Sequence, residues 1–111
     1  MDEWKEGYCK SITLTIYIGG DLRTITETCR EYCTENPFCV SIKPCDFAYK
    51  YGLESGAEIT LINYPRFPRN WDELYEKAEQ LGYKIADRAS QGSFTIQSEK
   101  ETVMYDRRGT I

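Results

Sequence analysis

Ser11-Ile12-Thr13-Leu14-Thr15-Ile16-Tyr17-Ile18-Gly19-Gly20-Asp21 is the stretch on which the fold turns. Ile12, Leu14, Ile16 and Ile18 fall on one side of an extended chain and Thr13, Thr15 and Tyr17 on the other. This period of two makes a half-buried strand over residues 11–18. Gly19-Gly20 breaks the strand, and the Asp21 carboxylate is placed to accept from the orphan N–H groups of a helix beginning just behind it. Leu22, Ile25, Cys29, Tyr32 and Cys33 then recur at helical spacing until Asn36-Pro37, because the residue before a proline is pushed out of the helical region.

Outward from that unit, residues 38–51 are rich in β-formers, but Pro44 cannot donate to a ladder, which makes this strand bent or an edge. Leu53-Glu54-Ser55-Gly56 reads as a turn, and a third strand runs from Glu58 to Tyr64 and stops at Pro65 and Pro68. Asn70 followed by Glu73 has the pattern of a capping box, and Leu74, Ala78, Leu81, Ile85 and Ala89 carry a helical stripe beyond it. Gly82 interrupts that stripe at a cost of about 1 kcal/mol, so the helix ends either there or near Ala89. Residues 93–97 and 102–105 form a hairpin around the polar Ser98-Glu99-Lys100-Glu101. The order β-α-β-β-α-β-β predicts a ferredoxin-like α+β sandwich: an antiparallel split βαββαβ sheet with two helices on one face and an additional C-terminal strand. It is read as one domain over residues 1–111, with 1–10 a flexible N-terminal segment.

Composition narrows the chemistry. The 111 residues carry a net charge of −4 with a pI near 4.9, and they include no histidine. That removes Ser-His-Asp and Cys-His nucleophile pairs and HExxH zinc sites, and favours non-enzymatic binding. The acidic balance argues against gripping duplex nucleic acid. No apolar run suits a membrane span, and Met1 to Glu6 is acidic rather than signal-like, so a reducing cytoplasm is the expected location. There the odd number of cysteines, Cys9, Cys29, Cys33, Cys39 and Cys45, is expected to remain reduced. The spacing of the last four lacks the short knuckles of structural zinc sites, and core filling is the better reading. No cofactor or metal is called for.

Taking strands one and three as parallel, both helix N-termini emerge at one sheet edge, and the last strand finishes there too. Gly19 and Gly20, Tyr64, Arg66, Phe67, Arg69 and Trp71, and Tyr105, Arg107 and Arg108 then surround one site. Four of the seven arginines gather at two positive helix ends, with aromatic surfaces for stacking. A small anionic, nucleotide-like ligand is the expected partner. The opposite sheet face is expected to carry Tyr17, aromatics from Phe47, Tyr49 and Tyr51, and Phe94 or Tyr105, a surface suited to a homo-oligomer contact through the sheet face or edge.

Ser11 to Asp21, Ile62-Asn63-Tyr64-Pro65-Arg66-Phe67-Pro68 and the closing Tyr105-Asp106-Arg107-Arg108 resemble small accessory proteins encoded by bacteriophages and prophages. The resemblance implies a role against bacterial defence. Joined to the arginine-rich edge, it predicts a sponge that sequesters a nucleotide-like immune signal without chemistry. The alternatives are an acidic, nucleic-acid-mimicking inhibitor that docks on a host defence protein in the manner of anti-CRISPR proteins, and a nucleotide-hydrolysing enzyme.

Overall fold

The computed structural model describes residues 3–109. Its elements are β1 (Thr13–Gly19), α1 (Leu22–Glu35), β2 (Val40–Tyr49), β3 (Gly52–Ile62), α2 (Trp71–Arg88), β4 (Ser93–Gln97) and β5 (Thr102–Asp106). The five strands form one sheet in the order β2-β3-β1-β4-β5, every neighbouring pair antiparallel. This is the expected ferredoxin-like α+β arrangement with an added strand, β5, at one edge. β2, the strand that contains Pro44, is the other edge.

The alternation in β1 decides which face is covered. Leu14, Ile16 and Ile18 are buried, and the register sets Ile16 beside Ile59 and Ile96, with Ile42 next to Ile59. Ile25, Cys29 and Tyr32 from α1 and Leu74, Ala78, Leu81 and Ile85 from α2 close this face into a single core. Asp21 caps α1 by accepting from the N–H of Thr24 at 3.0 Å, and Asn70 and Glu73 make the anticipated capping box on α2. α2 continues through Gly82 to Arg88. The glycine is there because Phe94 of β4 packs against it. No described helix is long and apolar enough to cross a membrane.

Four expectations change. First, the β2–β3 turn is Lys50-Tyr51, with Tyr49 opposite Gly52, and Leu53 to Gly56 belong to β3. Gly56 serves close packing instead of a turn: a Cβ there would run into the Ile18 carbonyl of β1, with Gly19 Cα at 2.7 Å and the Phe47 ring at 2.8 Å. Second, β1 and β3 are antiparallel. The crossover through α1 leaves one position open between β1 and β2, and β3, folding back from β2 through a hairpin, fills it with its direction reversed. Third, Tyr17, Phe47 and Tyr49 share the uncovered face as expected, among Thr15, Thr60, Thr95 and Thr102, whereas Phe94 and Tyr105 lie on the helix side, stacked at 4.7 Å with Tyr83 of α2 against both. Fourth, part of the N-terminal segment is tied down, because Asn63 donates to the Lys10 carbonyl at 2.8 Å and the Cys9 thiol faces the Asn63 carbonyl at 3.5 Å. Residues 1 and 2 of that segment lie outside the described residues.

Candidate functional site

The antiparallel pairing of β1 with β3 divides the residues expected to form one site. Gly19 pairs with Gly56 at one end of the sheet, while Thr13 pairs with Ile62 at the other, about 20 Å away at ~3.3 Å per residue. Tyr64, Arg66, Phe67, Arg69 and Trp71 follow β3 and stand at the Thr13 end. Gly19, Gly20, Arg107 and Arg108 stand at the opposite end, because β5 finishes opposite the start of β4, with Asp106 beside Ser93. The four arginines therefore do not converge, and the single arginine-rich edge is withdrawn.

At the Gly19 end the local charges are already matched. Arg107 pairs with Asp87 at 3.1 Å. Arg108 pairs with Asp106 at 3.1 Å and reaches Ser93 at 3.3 Å. The Glu54 carboxylate lies in the space where a side chain at Gly19 would stand, and a carboxylate in that position repels an anion. Gly20, with φ +127°, serves the turn, its N–H donating to the Ser55 carbonyl at 2.9 Å. Tyr105 points inward: its hydroxyl donates to Glu79 at 2.8 Å and meets the Tyr75 hydroxyl at 2.7 Å. Burial, followed by those two hydrogen bonds, raises its pKa well above the ordinary tyrosine value.

The Thr13 end holds the larger opening, a cleft of about 570 Å³ lined by residues 8–13, Asn63, residues 68–71, Glu73, Glu99 and Lys100. That volume lies within the range of small-molecule sites. Asn63 organises it. Its side chain donates to the carbonyl of Lys10 and accepts from the N–H of Arg69 at 2.8 Å, and its own N–H donates to the Ile12 carbonyl at 3.0 Å. The leading segment and the loop before α2 are thereby locked to each other. Arg69 is itself held by the protein: its guanidinium lies over Phe38 at 5.2 Å and Phe67 at 5.8 Å and donates to the Pro37 carbonyl at 3.3 Å. Trp71, the first residue of α2, stacks on Tyr75 at 4.9 Å and carries the Lys100 ammonium 4.3 Å from its ring centre.

Of the ten residues proposed from sequence, Arg69 and Trp71 line this cleft. Tyr64 and Phe67 do not line it; their rings meet each other, tilted by 47°, at 5.3 Å; a hydrogen bond with Cys39, and burial after it, raise the Tyr64 pKa. Arg66 is exposed. Lys100, Glu99, Asn63 and the Tyr8 to Ile12 segment were missed as site residues, because nothing local in the sequence links the β4–β5 turn to the start of α2. Of the cysteines, Cys29 is buried in the core, where burial pushes its thiol up to about 12, while Cys39 is exposed.

No family model matches the chain, and no curated protein matches it. Solved structures do. The fold is shared with phage SAM lyases. One, a phage SAM lyase in its apo state, superposes with a TM-score of 0.68 at 14% identity, covering 96% of this chain and 94% of that one. Another, a phage SAM lyase in complex with S-methyl-5′-thioadenosine, gives 0.65 at 8% identity, covering 99% and 100%. Both are phage proteins, in keeping with the resemblance to phage accessory proteins. They overturn the expectation of a binder without chemistry: the two chains that match this one end to end are lyases, which are enzymes. With that expectation goes the inference drawn from missing histidine.

Proposed function

We propose that this chain is a lyase that cleaves S-adenosylmethionine in the cleft between residues 8–13, the start of α2 and the β4–β5 turn, releasing S-methyl-5′-thioadenosine. The observation that carries this reading is the end-to-end fold correspondence with two phage SAM lyases, one of them holding that nucleoside. The cleft supports it. Ile12, Pro68 and Trp71 offer apolar surface, Lys10 and Arg69 offer cations for a carboxylate, and Glu73 and Glu99 offer acids for an ammonium or sulfonium.

The chemistry asks little of side chains, and a protein without histidine can supply it. A sulfonium sulfur leaves as a neutral thioether, with no proton needed on the leaving group. The substrate's own carboxylate oxygen attacks Cγ, the C–S bond breaks, and its electron pair stays on sulfur. A lactone and S-methyl-5′-thioadenosine form with no water or proton consumed. The protein's contribution is to fold the aminobutyryl chain so that oxygen, carbon and sulfur come into line, which is catalysis by positioning. In this reading the phage-type accessory role consists in consuming a nucleoside ligand of the host.

Incubation with S-adenosylmethionine followed by mass spectrometry tests this. The expected products are S-methyl-5′-thioadenosine and the lactone, absent from a heat-inactivated control. Recovery of intact S-adenosylmethionine overturns the reading.

We further propose that the chain forms a homo-oligomer through its sheet face or edge. Supporting it is the hairpin tip at the β2 edge, on which Tyr49, Tyr51 and Leu53 are exposed, Tyr51 at 96%.

A further inference from the structure

Lys100 is a cation held by a ring inside the cleft. Its Nζ lies 4.3 Å from the centre of the Trp71 indole, well within the ~6 Å over which the negative face of an aromatic ring attracts a positive charge. Among the described residues the Lys100 ammonium makes no ion pair, although Glu73 and Glu99 line the same cleft. The indole is fixed and the lysine is not. Tyr75 stacks on Trp71 with an interplanar angle of 20°, and the Tyr75 hydroxyl is anchored to that of Tyr105 at 2.7 Å. Lys100 stands exposed on a turn whose backbone is braced by Ser98 Oγ, which accepts from the N–H of Lys100 at 3.2 Å and of Glu101 at 3.1 Å. The turn is therefore set while the side chain can swing.

Building on the proposed activity, we infer that Trp71 is the specificity-determining residue for the substrate's sulfonium and that Lys100 is the placeholder for that charge. A sulfonium arriving in the cleft takes the position over the indole, and the ammonium withdraws to solvent. The charge on the ring is exchanged, not lost. A neutral thioether has no charge to offer the ring, so Lys100 returns as the product forms. Substrate is thereby preferred over product without any change in the backbone.

The test compares sinefungin, which carries an amine in place of the sulfonium and has no leaving group, with S-adenosylhomocysteine, the neutral thioether. Their affinity ratio is the readout. Trp71→Leu is expected to lower the ratio of cationic to neutral ligand about fivefold, as a cation–π contact of moderate strength implies, and Trp71→Phe by less. Lys100→Ala, which removes the competitor, is expected to raise it. If both ligands change by the same factor in Trp71→Leu and in Lys100→Ala, the ring stacks adenine and the inference is overturned. If the wild type binds neither nucleoside, the proposed activity has failed, and the onium site is decided separately. Trimethylsulfonium is titrated against the fluorescence of Trp4→Phe protein, in which Trp71 is the remaining indole of the two. Saturable quenching that strengthens with Lys100→Ala upholds the site, and no quenching ends it.

Discussion

Phe94 of β4 packs so closely on Gly82 in the middle of α2 that a Cβ at Gly82 would lie 2.8 Å from Phe94 Cδ2 and Cζ. Helix propensity alone favours alanine there by about 1 kcal/mol, but the clash forces either the ring or the helix to move. Gly82→Ala is expected to destabilise the fold by about 1–3 kcal/mol. Denaturant unfolding checks this, and adding Phe94→Leu should recover part of the loss. A more stable Gly82→Ala variant would refute the close packing.

Trp71 and Arg107 were expected at one site, and the strand directions put them at opposite ends of the sheet. Under the proposed activity, Trp71→Leu lowers the turnover of S-adenosylmethionine at least several-fold, whereas Arg107→Glu leaves it within about twofold of wild type because Arg107 is engaged with Asp87. Progress curves of nucleoside release decide between them. Equal loss in both would mean that the reacting centre is not in the Trp71 cleft.

Stability should decline at both ends of the pH scale, for different reasons. Tyr32, raised by burial to about 12, and Tyr75 and Tyr105, both raised first by burial, hold their protons longer in the folded chain than in the unfolded one. Their contribution is complete below the ordinary tyrosine pKa near 10 and is lost as pH rises through the folded values. At the acid end the Thr24 N–H, and its hydroxyl after it, hold the Asp21 carboxylate below the usual range. That cap is present above the unfolded carboxylate pKa and is lost as pH falls through the folded one. Thermal melts across pH should show Tyr105→Phe flattening the alkaline limb and Asp21→Ala the acid limb. An unchanged limb would refute the corresponding assignment.

Tyr51 adopts φ +67°, a left-handed conformation that favours glycine or asparagine over a bulky side chain. Tyr51→Asn is expected to raise the stability of the monomer by about 1 kcal/mol as that strain is relieved. If the hairpin tip contacts a second copy, the same change weakens self-association. Light scattering across a concentration series, run beside unfolding curves, reads both effects. A wild type that stays monomeric at high concentration removes the homo-oligomer reading.

Much of the fold was legible because its signals are local. The alternation from Ile12 to Ile18, the Asp21 cap, the Asn70 and Glu73 box and the hairpin around residues 98–101 each concern neighbours a few residues apart. The β2–β3 turn was missed because Tyr51 occupies a position where glycine or asparagine would have announced it, while Gly56, which looks like a turn residue, makes room for the β1 backbone at Ile18 and Gly19 and for the Phe47 ring. Most of the site was missed for a different reason. Lys100 and Asn63 meet residues distant in sequence, and no spacing encodes such a meeting.

The sequence by itself determined where strands and helices begin, how they are capped and which faces are apolar, because hydrogen bonding and side-chain periodicity act over a few residues. Only the tertiary structure decided which charges share an end of the sheet. β3 enters between β1 and β2 running opposite to both, and that direction, a property of strand order and not of any segment, separates Arg107 and Arg108 from Arg66 and Arg69 and brings Lys100 to Trp71.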